Sequence, residues 1–77
     1  MKKQDIASRN KLLALIGKKL AKQRNLQGIS QEELADMADL DRTYISGIER
    51  GKRNISVFTL KKISDALGME INKFLEK

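Results

Sequence analysis

The stretch from Ser30 to Arg53, SQEELADMADLDRTYISGIERGKR, constrains this chain more than any other. Ser30 followed by Glu33 is a capping box, S-x-x-E, which starts a helix at Gln31. Leu34, Ala35 and Ala38 then fall on one face at helical spacing. Asp39-Leu40-Asp41 breaks that pattern, and Asp41 is a suitable N-cap for a second helix over Arg42 to Arg50. In that second helix Ile45 and Ile48 point inward, leaving Arg42, Thr43, Ser46 and Arg50 outside and Tyr44 at the margin. Gly51 supplies the left-handed residue that stops it. The result is two short helices joined by a tight corner, the second with a polar outer side.

Two helices meeting at such a corner are what a helix-turn-helix needs. One helix sits across the DNA backbone, and the other lies in the major groove with its N-terminal residues at the base edges. Ala35 provides the short side chain that a close crossing requires. Leu34, Leu40, Ile45 and Ile48 close the core beneath the corner.

With Gln31, Leu34, Ala35, Leu40, Ile45, Ile48, Glu49 and Gly51 in register, the stretch resembles the Cro/cI-type (XRE) helix-turn-helix regulators. Arg24, Leu60, Ile63 and Leu67 extend the match, which runs from about Ile16 to Leu75. The run LDRTYISGIERGKRN is most similar to the controller proteins of restriction–modification systems. One departure stands at the corner, where Asp39 replaces the family's usual glycine. Aspartate is among the few residues that tolerate positive φ. The resemblance implies an all-α, five-helix, lambda-repressor-like DNA-binding domain.

The rest of the chain fits one domain spanning 1–77, with 1–7 as a flexible arm. A first helix over about Ala7 to Leu26 carries a core stripe of Leu13, Ile16 and Leu20, flanked by Leu12 and Leu15. Arg24 continues that stripe, and a charge on a buried face needs a partner. The resemblance implies Glu49 as that partner, in a structural ion pair. Gln23 stands where the family has an apolar residue, and Gly28 ends the helix. Ser56 caps a fourth helix, Val57 to Leu67, with Val57, Leu60, Ile63, Ser64 and Leu67 buried and Phe58 on the opposite side. A fifth short helix, Ile71 to Glu76, brings three large apolar residues. The expected subunit contact is therefore Phe58, Ile71, Phe74 and Leu75.

Composition narrows the chemistry. Seventy-seven residues sit near the small end of what folds unaided. With no cysteine and no histidine there is no disulfide, and the usual metal-ligand sets are missing. Neither a cofactor nor a metal is expected. The same absences, with no phosphate-cradling glycine loop, argue against an enzyme. A net charge of +6 favours a polyanion partner. No apolar run approaches the ~20 residues that span a bilayer, and no signal-peptide pattern opens the chain, so the expected location is cytoplasmic.

The expected function is sequence-specific binding of a near-palindromic double-stranded operator by a homodimer. Its two reading helices would lie about 34 Å apart, one turn of the duplex. Arg42, Thr43 and Ser46 are the expected base contacts, Arg42 as a bidentate partner of guanine. Gln31, Tyr44, Arg50, Lys52, Arg53 and Asn54 are the expected backbone contacts. The family resemblance supports Gln31 as a phosphate ligand at a helix N-terminus, and two dimers on one operator. No small-molecule effector is expected, since no sensor segment is evident. The competing reading is an antitoxin or partner-regulated module, with an apolar C-terminus for another protein and DNA binding secondary.

Overall fold

The computed structural model of the chain describes residues 2–76. Four helices follow in order: α1 (Lys3–Leu26), α2 (Gln31–Ala38), α3 (Arg42–Glu49) and α4 (Val57–Leu67). Ile71–Phe74 adds one 3₁₀ turn. No strand occurs among the described residues. Among the described residues four α-helices, and not five, make the all-α fold. The expected fifth helix over Ile71 to Glu76 shrinks to that turn, held by i→i+3 bonds from Lys73 N to Glu70 O and from Leu75 N to Asn72 O. Glu70 offers no side-chain cap, and four residues are too few to pass the nucleation cost of an α-helix.

The expected arm is also different. α1 begins at Lys3, so residues 3–7 of the expected arm are helical, while Met1 lies outside the described residues. Lysine, leucine, alanine and glutamine, all good helix formers, populate α1, and the negative charge of Asp5 in its first turn complements the positive end of the helix dipole. At 1.5 Å per residue its 24 residues span about 36 Å, which matches the molecule's longest dimension of 37 Å. Every residue from 2 to 12 is exposed, so packing against the body begins only near Leu13.

All four helices stop the same way. A residue one or two positions past the helix takes the left-handed conformation, and the next amide reaches back five residues. Ile29 N bonds Arg24 O, Leu40 N bonds Ala35 O, Lys52 N bonds Gly47 O and Met69 N bonds Ser64 O, at 2.8–3.2 Å. Three of the four stops are glycines, and the fourth is Asp39 with φ of 54°. The corner between α2 and α3 is thus built on an aspartate that pays a modest strain, while Lys62 Nζ donates to its carbonyl at 3.3 Å.

The core is continuous. Ile16 and Leu20 of α1, Leu34, Ala35 and Ala38 of α2, Ile45 and Ile48 of α3, and Leu60, Ile63 and Leu67 of α4 are all buried, with Phe74 closing the end. Ser64 is buried too and donates its hydroxyl to Leu60 O at 2.7 Å, so it costs little there. Two positions correct the sequence reading. Val57 is 77% exposed, because the first turn of α4 stands clear of the core and the buried stripe begins at Leu60. Phe74 is fully buried within its own chain and therefore is not a subunit contact. Leu40, Tyr44, Ile55, Met69 and Ile71 pack half-buried around this centre.

Candidate nucleic-acid interface

α2 starts as its sequence dictates. Ser30 Oγ accepts from Glu33 N at 3.0 Å, and Ser30 N donates to Glu33 Oε1 at 2.9 Å, closing the capping box. Hydrogen bonding to the Glu33 carboxyl, from the backbone amide of Ser30 first and from its side chain second, holds that carboxyl below its usual range. α3 starts without such help: Asp41 has extended backbone at the N-cap position but makes no side-chain cap bond. The short helix is held instead by burial of Ile45 and Ile48 against α1 and α2.

Arg42 and Thr43 are exposed on the first turn of α3. Ser46 is half-buried one turn on and Arg50 is exposed a turn further, so 42, 43, 46 and 50 share one face. Among the described residues the side chains of Arg42 and Thr43 make no hydrogen bond and no ion pair. Arg50 folds back, its Nε donating to Ser46 O at 3.3 Å. Lys52 and Asn54 are exposed in the loop that follows.

Gly47 and Arg53 are coupled in a way the sequence does not announce. A Cβ at Gly47 would meet Arg53 Cγ at 2.6 Å. The stem of Arg53 therefore lies across the bare backbone of Gly47, and its guanidinium sits 5.2 Å from the centre of the Tyr44 ring. The Tyr44 hydroxyl donates to Asn54 O over a long 3.4 Å. Tyr44, Arg53 and Asn54 thus form one small cluster that folds the loop onto α3.

Behind α3 lies a polar brace. Arg24 Nε donates to Glu49 Oε2 at 2.6 Å and Arg24 Nη2 to Glu49 Oε1 at 3.0 Å. Arg24 Nη1 donates to Ile29 O at 2.9 Å, and Gln31 Nε2 adds a third bond to the same carboxylate, to Oε1 at 3.0 Å. The two charged side chains are only 13% and 8% exposed. Hydrogen bonding to Glu49 raises the Arg24 pKa, opposed by burial and helped by the carboxylate's charge. Glu49 ends α3, where a negative charge opposes the helix dipole, so the brace also offsets that penalty. Gln31, expected to face a phosphate, turns one amide hydrogen inward to this carboxylate, leaving its backbone amide at the N-terminus of α2.

Gly17 carries a role that sequence reading missed. A Cβ there would strike the carbonyl oxygen of Ile48 and lie 2.7 Å from that of Glu49. α1 and α3 meet backbone to backbone at this point, which sets the depth at which α3 is seated. The available signal was an isolated glycine inside a run of helix formers.

The remaining expected contacts are dispersed. Phe58 is 73% exposed on α4, with Lys62 Nζ 5.8 Å from its ring centre. Leu75 is 51% exposed and Ile71 half-buried in the segment that follows α4. Leu75 borders a groove of about 330 Å³ whose other wall is Leu12 and Leu15 of α1. The structure does not gather Phe58 with Ile71 and Leu75 into one lined groove.

Comparison with known proteins agrees with this geometry. The family described as Helix-turn-helix (HTH_3) matches residues 20–74. The control protein C.BamHI of Bacillus amyloliquefaciens is 46% identical over 68 residues, covering 87% of this chain and 84% of its own length. The control protein C.MunI of Mycoplasma sp is 50% identical over 56 residues, 73% of each chain. Among solved structures, the restriction-modification controller protein C.AhdI from Aeromonas hydrophila superposes with a TM-score of 0.79 at 40% identity, over 80% of this chain and 94% of that one. The controller protein C.Esp1396I, solved as a tetramer with its natural 35 base-pair operator, gives 0.76 at 41% identity, over 83% and 84%. The chain belongs to the Cro/cI-type helix-turn-helix family, in the company of the restriction–modification controller proteins.

Proposed function

We propose that this protein is a sequence-specific transcriptional regulator of a restriction–modification system. It binds a near-palindromic DNA operator as a homodimer through α3. One observation carries the reading: α3 is sealed on its inner side by Ile45 and Ile48, while Arg42 and Thr43 at its N-terminal turn are exposed and unengaged. That is the disposition of a helix whose first turn meets base edges in the major groove. Arg42 is suited to bidentate bonding to guanine O6 and N7, and Thr43 and Ser46 to shorter contacts beside it. Gln31, Tyr44, Arg50, Lys52, Arg53 and Asn54 flank that turn as backbone contacts, Lys52 and Asn54 with the least intramolecular engagement. The net charge of +6 supplies the sequence-independent part of the attraction.

The subunit contact in this reading uses Leu75 and Ile71 with Leu12 and Leu15 of α1, since Phe74 is spent inside the core. A relative seen as a tetramer on its operator supports two dimers on one site. The protein acts without catalysis, as a cytoplasmic DNA-binding factor. No helix among the described residues is long and apolar enough to cross a membrane.

Selection of bound sites from random duplexes tests this directly. The expected product is an inverted repeat whose half-sites contain a guanine that Arg42→Ala no longer demands. That variant costs about 1–3 kcal/mol at the selected site and little on random duplex. Lys52→Ala weakens both alike and lowers the salt slope by about 0.9 for each phosphate lost. Unchanged base preference in Arg42→Ala refutes direct readout by that residue.

A further inference from the structure

The first half of α1 does more than its packing requires. It extends the molecule to its full 37 Å, yet residues 2–12 are exposed and contribute nothing to the buried core. Its residues divide into two faces. Ser8, Lys11, Leu12 and Leu15 turn to the groove beside Leu75. Arg9, Asn10, Leu13 and Ala14 turn to a different cleft, about 470 Å³, on the side where α3 ends. The spacing i, i+1, i+4, i+5 is one helical stripe.

Opposite that stripe stand Arg50, Lys52 and Asn54. Gly51 brings them there. A Cβ at Gly51, whose φ is 70°, would lie 3.2 Å from Ala14 Cα, so the chain reverses directly on the surface of α1. The cleft therefore has an apolar floor and a rim of three cations and two amides. Among the described residues no carboxylate lines it. Arg9, Arg50 and Lys52 take part in no ion pair there, although Asp5 lies one turn before Arg9. Three unneutralised cations around one concavity repel one another, and an anion in the cleft relieves that repulsion.

We propose that Arg9 and Asn10 of α1 join Arg50, Lys52 and Asn54 in a seat for a DNA backbone phosphate, extending the grip beyond the segment that carries α3. The proposal rests on the DNA-binding reading above, because the seat adjoins the exit of the reading helix. Arg9 supplies charge and a two-pronged donor, and Asn10 an amide donor. The seat reads no base; it fixes the register and tilt of the domain on the duplex. It is a positioning device, and it makes the N-terminal half of α1 part of the interface.

The test is Arg9→Ala in the full chain, titrated against a selected operator and a random duplex over a range of salt. Each subunit of a bound dimer loses one phosphate contact, so the slope of log K against log salt falls by about 1.8, and affinity at 0.15 M salt falls about 30-fold on both duplexes. Asn10→Ala weakens binding with the slope unchanged, and Arg9→Lys restores most of the slope. Arg9 is exposed, so the melting temperature stays at the wild-type value. Ethylation interference places the lost contact at a phosphate outside the bases whose identity Arg42→Ala relaxes. Wild-type affinity and slope in Arg9→Ala, with Arg42→Ala still losing discrimination, overturns the seat and leaves the reading helix intact. A wild-type protein that binds no duplex overturns the DNA reading itself. A change in sedimentation of the free protein, with DNA affinity per dimer unaltered, assigns this face to contact between subunits and also overturns the seat.

Discussion

Replacing Glu49 by alanine should cost about 3 kcal/mol of folding stability. The figure follows from the brace. The Glu49 carboxylate accepts three hydrogen bonds, two from Arg24 and one from Gln31, with 8% of its side chain exposed. Its removal leaves Arg24, whose side chain is 13% exposed in the intact protein, with one remaining acceptor, Ile29 O. Breaking a fully buried pair from one side costs about 3–5 kcal/mol. The retained carbonyl bond and partial access to water place this pair at the low end. Alanine also removes a negative charge from the C-terminus of α3, which returns about 0.3–1 kcal/mol. A 77-residue chain holds roughly 4–11 kcal/mol in total, so the loss is a large fraction of it. Near the transition each kcal/mol moves the melting temperature by about 4–8 °C in a domain of this size. Thermal unfolding followed by far-ultraviolet circular dichroism should therefore show a fall of at least about 10 °C. Arg24→Met combined with Glu49→Leu removes both charges and should recover much of the loss, because apolar residues of similar volume replace buried pairs at little cost. A fall of less than about 4 °C in Glu49→Ala, or strictly additive effects in the double variant, would refute the brace as a stabilising unit.

The remaining predictions concern packing, pH and assembly. Gly17→Ala should destabilise by about 2–3 kcal/mol in urea unfolding, because the new methyl meets backbone carbonyls of α3 that cannot rotate away; the ~1 kcal/mol gain in helix propensity is too small to reverse the sign, and a stabilised variant would show that α1 and α3 are not in backbone contact. Glu33 has a lowered carboxyl pKa, so its contribution is present above the ordinary glutamate value and is lost as pH falls through the folded one. Glu33→Gln keeps a capping acceptor without the charge and should flatten the acid limb of a plot of melting temperature against pH, whereas an acid limb of wild-type shape assigns it to other carboxyls. Phe74→Ala should cost about 3–5 kcal/mol by emptying the end of the core; Leu75→Ala should leave the fold intact and weaken the dimer in analytical ultracentrifugation, and a fully retained dimer would move the contact elsewhere.

Local rules made much of this fold legible. Ser30 and Glu33 name the start of α2, Gly51 and Gly68 the ends of α3 and α4, and the pattern of Leu34, Ala35, Ala38, Ile45 and Ile48 the faces that meet. Asp39 took positive φ because the stop required it and aspartate permits it. The readings that failed depend on neighbours distant in sequence. Phe74 and Leu75 are equally apolar, and which of them enters the core depends on how a four-residue turn sits over α1 and α4. Val57 falls in register with Leu60 and Leu67, yet the helix begins before it reaches the core. The seating of α1 on α3 at Gly17, and the placing of Arg9 and Lys52 around one cleft, join positions 31 and 43 residues apart, beyond the reach of periodicity.

The parts that hold α3 and the parts it presents are separate, and this bears on how such a protein changes its target. Ile45, Ile48, Gly47 and Glu49 are engaged with α1, α2 or the following loop. Arg42 and Thr43 are exposed and bear no intramolecular bond among the described residues. Exposed substitutions away from caps and pairs stay within about 0.5 kcal/mol of the parent, so Arg42 and Thr43 can be exchanged at almost no cost to folding. Ser46 and Arg50 are less free, because one is half-buried and the other folds onto its carbonyl. Variation of operator preference by substitution at 42 and 43 should therefore outrun variation at 46 and 50. A library randomised at all four positions and selected for folding alone should recover nearly every residue at the first two and a narrower set at the others. An equally narrow set at 42 and 43 would mean that the outer face of α3 is bound into the fold after all.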